Sequence, residues 1–199
     1  MPPHPHLLME HTMLKYCFRF VIASALLVSA FAMQNSDGWT RFTPPDKSFS
    51  ALLPSKLNPP IHQVKDVPIG KKKNASGVET DEMGQIVTDM FIGETPTGLY
   101  LVGVTLYPVD ITVDRELDLD RDNFLKAVGG KLVSETPVTL NGFSGKEFTG
   151  ATADYTFKSR VYADRRHAYQ IAARELTNTL DLKRVDNFLK SFDLNVKPL

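Results

Sequence analysis

The sequence predicts an α+β domain in which an antiparallel β-sheet is sandwiched with two or more helices. Short runs of alternating apolar and polar residues recur between turn signals, and only two stretches switch to a helical period. The links between the runs are too short for parallel crossovers, so the pairing is antiparallel. Of 199 residues, 42% are hydrophobic and 23% charged, the composition of a soluble globular domain. With 23 basic and 23 acidic side chains the chain has no surplus of Lys and Arg for a phosphate backbone, so nucleic acid is not an expected partner.

At the N-terminus, Lys15 and Arg19 precede an apolar run from Phe20 to Met33 that contains Ala30-Phe31-Ala32. A basic start, an apolar core shorter than a membrane span and small residues at the end form the pattern of a secretory signal peptide, residues 1–32, with cleavage after Ala32. Met13 fits a translation start better than Met1, because Met1 to Thr12 stand awkwardly ahead of the basic region. The single cysteine, Cys17, lies before the apolar core and cannot be the acylated cysteine of a lipoprotein. Residues 33–199 are then one domain without cysteine, placed in the periplasm or outside the cell and read as a monomer.

Along that domain, Trp39 to Phe42 and Ser48 to Leu53 read as strands around the turn Pro44-Pro45-Asp46-Lys47. From Ser55 to Met83 the prolines 59, 60 and 68, the lysines 71–73 and Gly77 predict irregular chain with one edge strand near Ile61 to Val67. Ile86 to Ile92 and Leu99 to Tyr107 are strands joined by a hairpin-length link, the second apolar on both faces and therefore central. Leu117 to Val128 is a helix of about three turns stopped by Gly129-Gly130. Leu132 to Leu140, an edge strand because of Pro137, and Gly145 to Thr152 flank Asn141-Gly142, the strongest hairpin signal in the chain. Asp154 to Ala163 and Ala168 to Arg174 are strands joined at Asp164-Arg165-Arg166. A last helix, capped by Asn178 or Thr179, carries the stripe Leu182, Val185, Leu189 and Phe192.

Several short patterns resemble the PsbP-like fold family. They are Trp39-x-x-Phe42, Phe49-x-x-x-Leu53-Pro54, Tyr100-x-Val102 running to Tyr107-Pro108, Gly145-Lys146-Glu147-Phe148, and Val185-Asp186-x-Phe188-x-x-Ser191-Phe192. The resemblance spans Trp39 to Leu194 and rests on packing and turn motifs. It implies a small exported sandwich of a family whose members are mostly non-enzymatic: they dock onto membrane complexes, bind a small GTPase or chaperone secreted partners. No binding residue of the family carries over to this chain by motif.

Chemistry-bearing residues are sparse. His62 and His167 lack the spacing of metal ligands. Ser144 imitates the start of a nucleophile elbow, but no closing glycine or helix follows, so a hairpin turn is the better reading. Asp114, Glu116, Asp118, Asp120 and Asp122 crowd nine positions, and Asp118-x-Asp120-x-Asp122 begins as a calcium loop would. Asn123 stands where the turn glycine belongs and Gly129 where the bidentate glutamate would sit. Asp118 or Asp120 is therefore read as a helix cap, with Asp118, Asp120 and Asp122 the only metal candidates. Lys71, Lys72 and Lys73, on a long polar loop from Gly70 to Met83, and Arg165 with Arg166 are the basic clusters and the candidate partner-binding residues. No catalytic residue and no cofactor is assigned. The expected function is an exported, non-catalytic binding or assembly module with a protein partner. The alternative is a periplasmic hydrolase or small-ligand binder whose cleft gathers scattered carboxylates such as Asp81, Glu82 and Asp89.

Overall fold

A computed structural model describes residues 38–199. The expectations for the leader, for Met13 and for Cys17 lie outside the described residues. The chain runs through β1 (Trp39–Phe42), β2 (Phe49–Pro54), β3 (Ile61–Lys73), β4 (Glu79–Glu94), β5 (Gly98–Leu106), α1 (Val113–Ala127), β6 (Lys131–Leu140), β7 (Phe143–Ala151), β8 (Tyr155–Ala163) and β9 (His167–Leu176). A 3₁₀ turn (Thr177–Thr179), α2 (Leu182–Ser191) and β10 (Asp193–Leu194) complete it. One sheet has seven strands in the order β3-β4-β5-β9-β8-β7-β6, and a second has three in the order β1-β2-β10. Every pairing is antiparallel.

This corrects the predicted fold class. Strands take 55% and helices 17% of the described residues, and two helices accompany the two sheets, so the domain is sheet-rich and not an α+β sandwich. The main source of the difference is the segment read as irregular. Pro59 and Pro60 precede β3 rather than interrupt it, and Pro68 sits in an edge strand beside a register shift between Pro68 and Gly70, where its missing N–H breaks no ladder.

Alternation along the strands sorts side chains onto two faces of the large sheet, each with its own core. On one face Leu117, Phe124 and Leu125 of α1 pack against Phe148, Phe157 and Val161. On the other, Val185, Phe188 and Leu189 of α2 and Phe49 and Leu53 of β2 cover Tyr100, Val102, Tyr169 and Ile171. Trp39 stands edge-on to Tyr100 with ring centroids 4.7 Å apart, and Phe42 lies 4.8 Å from Phe91, so both aromatics near the chain start serve this core. The Asn141-Gly142 turn is as read, with both residues at positive φ, 50° and 89°. Helix α2 is capped by Asp181, whose carboxylate accepts from the Arg184 N–H at 3.0 Å, and not by Asn178 or Thr179.

The cap belongs to a buried polar cluster that seats α2. Glu175 of β9 has no solvent exposure. Its carboxylate accepts from the Tyr100 hydroxyl, from the Asp181 N–H at 3.0 Å and from the Arg184 guanidinium at 2.9 Å. Arg184 also donates to Thr97 Oγ1 at 3.0 Å, closing the cluster over the β4–β5 turn. Burial, and then the neighbouring carboxylate, hold the Tyr100 hydroxyl well above the usual phenol range, so it stays a donor. Replacing Arg184 with Met should cost about 3–5 kcal/mol in urea unfolding, because it strands a buried carboxylate, whereas Lys183→Met on the exposed side of α2 should cost less than about 0.5 kcal/mol.

Candidate functional site

The most exposed construction in the domain is the outer half of the β3–β4 hairpin. β5 ends at Leu106, paired with Val87, so Lys65 to Lys73 and Glu79 to Ile86 continue as a ribbon with no third strand. At about 3.3 Å per residue the ribbon reaches roughly 25 Å beyond the sheet. Two-stranded ribbons are marginal alone, and this one is braced at its base. Val67 and Ile86 are buried there, and the backbone of Gly84 passes so close to its neighbours that a Cβ would lie 2.6 Å from Pro108 and 2.7 Å from Ile69. At the tip, Asn74 Oδ1 accepts from the Ser76 and Val78 N–H groups at 3.0 Å each, and Gly77 takes φ 76°. Asn74-Ala75-Ser76 is therefore a turn.

The predicted Gly70–Met83 loop is thus corrected to a strand pair with a short turn. Register also changes the meaning of the three lysines: Lys71 stands opposite Asp81, Lys72 opposite Thr80 and Lys73 opposite Glu79. Lys71 Nζ lies 4.0 Å from Glu79. With Lys65, Asp66 and Glu82 added, the arm carries four acids against its four lysines and is a zipper of neutral balance rather than a basic patch. One face of it also exposes apolar groups, Val64 at 49% and Met83 at 53%, continued on the sheet by Leu106 at 42%. On that face the Asp66–Gln85 pair, bonded at 3.1 Å, stands between Met83 and the Val64–Leu106 position, so these apolar groups are set singly among polar ones.

Arg165 and Arg166 occupy the β8–β9 turn, as read. Their side chains lie 3.6 and 3.8 Å from Asp110, and Arg166 Nε donates to the Tyr107 carbonyl at 2.9 Å. They clamp the 107–111 loop, and Arg165 keeps most of its surface in solvent.

The acidic segment starts no loop; its first members, Asp114 and Glu116, lie in the first turn of a helix, as expected of carboxylates at the positive helix end, but the cap is placed elsewhere. Helix α1 begins at Val113, behind Thr112, so Asp118 and Asp120 are interior positions and cap nothing. Residues two apart on a helix point to different sides. Asp118 binds Lys146 at 2.5 Å and Arg121 at 2.9 Å; Asp122 binds Arg121 at 2.8 Å; Glu135 of β6 joins both cations, at 2.5 Å from Arg121 and 3.2 Å from Lys146. The Lys146 hydrogen bond holds the Asp118 carboxyl below the usual carboxylate range. Protein cations occupy the coordination that a metal would need, and among the described residues no group of three metal-ligating side chains is assembled.

Asp120 has gone inward instead. It is 7% exposed and Glu116, one turn earlier, 5%. The Tyr107 hydroxyl donates to Glu116. Burial pushes the Asp120 carboxyl well above its usual range, with the charge of Glu116 adding to it; burial also raises Glu116, against the opposing Tyr107 hydrogen bond and the Arg115 charge. The sequence reading missed this pair, although both positions fall in phase with the Leu117, Phe124 stripe.

The remaining candidates do not converge. Asp81 and Glu82 are successive residues on opposite faces of the arm, and Asp89 is paired with His62 at 2.7 Å. His167 contacts Asp164 at 3.1 Å, far from His62 in the sheet order. Ser144 lies in β7, a strand and not an elbow. Among the described residues no helix is long and apolar enough to cross a membrane. Neither protein-family models nor curated proteins match this chain.

The buried pair predicts a pH dependence with a definite sign. Groups whose carboxyls are raised on folding bind more protons in the native state, so their contribution is complete below about pH 4 and is lost as pH rises toward the raised values. Asp120→Asn should therefore raise the thermal midpoint at pH 7, leave it nearly unchanged at pH 4 and flatten the profile between, as read by calorimetry across that range.

Proposed function

We propose that the chain is an exported, non-catalytic binding or assembly module that works through a protein-partner surface, and that the β3–β4 arm is that surface. The observation that carries this reading is the arm itself: a ribbon reaching past the third strand, braced at its root, charge-balanced along its length, with Met83 and Val64 exposed among the charges of one face. A domain maintains such a ribbon against its marginal stability when the ribbon contacts something. The chemistry suits a protein rather than a nucleic acid, because its lysines are matched by carboxylates. The resemblance to the PsbP-like family belongs to this proposal. Its motif residues Phe49, Leu53, Tyr100, Val102, Phe148, Phe188 and Phe192 are core residues here, so it speaks to packing and leaves the partner open.

Export through the leader is part of the same proposal. N-terminal sequencing of the exported protein should begin at Met33; a product beginning at Met1 or Met13 would refute cleavage.

A photo-crosslinking residue at Met83 should capture a protein in the native compartment, while the same residue at Lys183, on the exposed side of α2, should not. Equal capture from both positions would refute the assignment of the surface. Changing Lys71, Lys72 and Lys73 to Glu sets like charges against Glu79 and Asp81; it should weaken capture in a salt-dependent way while lowering stability by no more than about 1 kcal/mol, since exposed pairs contribute little.

A further inference from the structure

Resting on the arm as the docking surface, we infer that its partner is a second copy of this chain, held face to face about a two-fold axis that runs along the arm between β3 and β4. Over this stretch β4 has no bulge, so Glu79, Asp81, Met83, Gln85 and Val87 point to one side. Their register partners point to the same side. A two-fold axis along the ribbon lays β3 of one copy over β4 of the other at the same height, so each side chain meets the second copy of its own register partner. Lys73 then meets Glu79, Lys71 meets Asp81, Pro68 meets Met83, Asp66 meets Gln85 and Val64 meets Val87. Each contact joins opposite charges, an acceptor to an amide, or apolar to apolar, and symmetry makes each twice. An isologous interface requires this self-complementarity.

Other arrangements conflict with the same residues. An axis along β4 would set Asp81 on Asp81. Edge-to-edge pairing through β3 would run into Pro68, which has no N–H to donate, the shift beside it and the lysines that blunt the edge. A ribbon roughly 25 Å long and about 10 Å wide covers far less than the roughly 800 Å² per partner of a standard interface. Pairing is therefore weak, concentration-dependent and sensitive to salt.

Sedimentation velocity of the exported chain from about 10 μM to about 1 mM, at low and high salt, tests this. The wild type should shift toward dimer as concentration rises. Lys71→Glu with Lys73→Glu, and separately Glu79→Lys with Asp81→Lys, should each stay monomeric, at least about tenfold weaker. An equimolar mixture of the two should regain dimer, because every reversed contact then faces its opposite. Met83→Lys, which leaves the charge ladder untouched, should also abolish pairing with an unchanged far-ultraviolet circular dichroism spectrum. A wild type that stays monomeric, or a mixture no better than either variant alone, overturns the pairing. If the Met83 crosslinker captures a different protein while the wild type stays monomeric, the self-pairing fails and the docking arm stands. If it captures no more than the Lys183 control, both fail.

Discussion

The seating of α2 on the large sheet depends on Glu175 keeping its cation. A carboxylate with no exposure is tolerable only when its charge is met and its lone pairs are filled. The groups that do so come from four places in the chain: Tyr100 in β5, Thr97 in the turn before it through Arg184, the Asp181 backbone and Arg184 itself. Satisfying Glu175 thus brings the start of α2 onto β9 and β5. Once seated there, α2 lays Phe188 against Tyr100 with ring centroids 5.1 Å apart, and Phe192 reaches Phe49 of the small sheet at 5.7 Å. Lys158 and Arg160 of β8 complete the attachment through Asp186 and the Leu189 carbonyl. The polar cluster sets the position, and the aromatic contacts supply most of the burial that follows from it.

The two open edges of the seven-stranded sheet are treated alike. β3 and β6 each carry a proline, each has a register shift and each presents lysine, at Lys65 and Lys71 to Lys73 on one and Lys131 on the other. These are the devices that keep an edge from recruiting another strand. With both edges blunted, the arm's opportunities for contact lie on its faces, where register has matched acid to base and left Val64 and Met83 in solvent.

The acidic stretch from Asp114 to Asp122 shows how far a local pattern can be read. Five carboxylates in nine positions open like a calcium loop, but Asn123 and Gly129 break that pattern and favour a helix start; which of the carboxylates pair with cations depends on what faces them. Here the facing groups are Lys146 and Glu135, far along the chain on β7 and β6, which make Asp118 part of a surface lattice of charge. Two positions further on, Asp120 turns to the core and loses its water. Helical phase separates the two environments, and only packing assigns them.

The sequence by itself determined the features that depend on a few neighbouring residues. Asn141-Gly142 forced a tight hairpin because its positive φ values suit those residues; the links at Glu94 to Gly98 and Asp164 to Arg166 were short enough to demand antiparallel neighbours; Pro137 marked an edge; the Leu182, Val185, Leu189 stripe marked α2. Tertiary structure decided the rest. Whether Ser55 to Met83 formed irregular chain or paired strands depended on Ile61 to Lys73 meeting Glu79 to Met90 in register, since its prolines and lysines disfavour a strand locally and are tolerated only at an edge. The balance of helix and sheet, the neutral charge of the arm and the division of Asp118 from Asp120 follow from contacts between residues far apart in the chain, and no local propensity encodes those contacts.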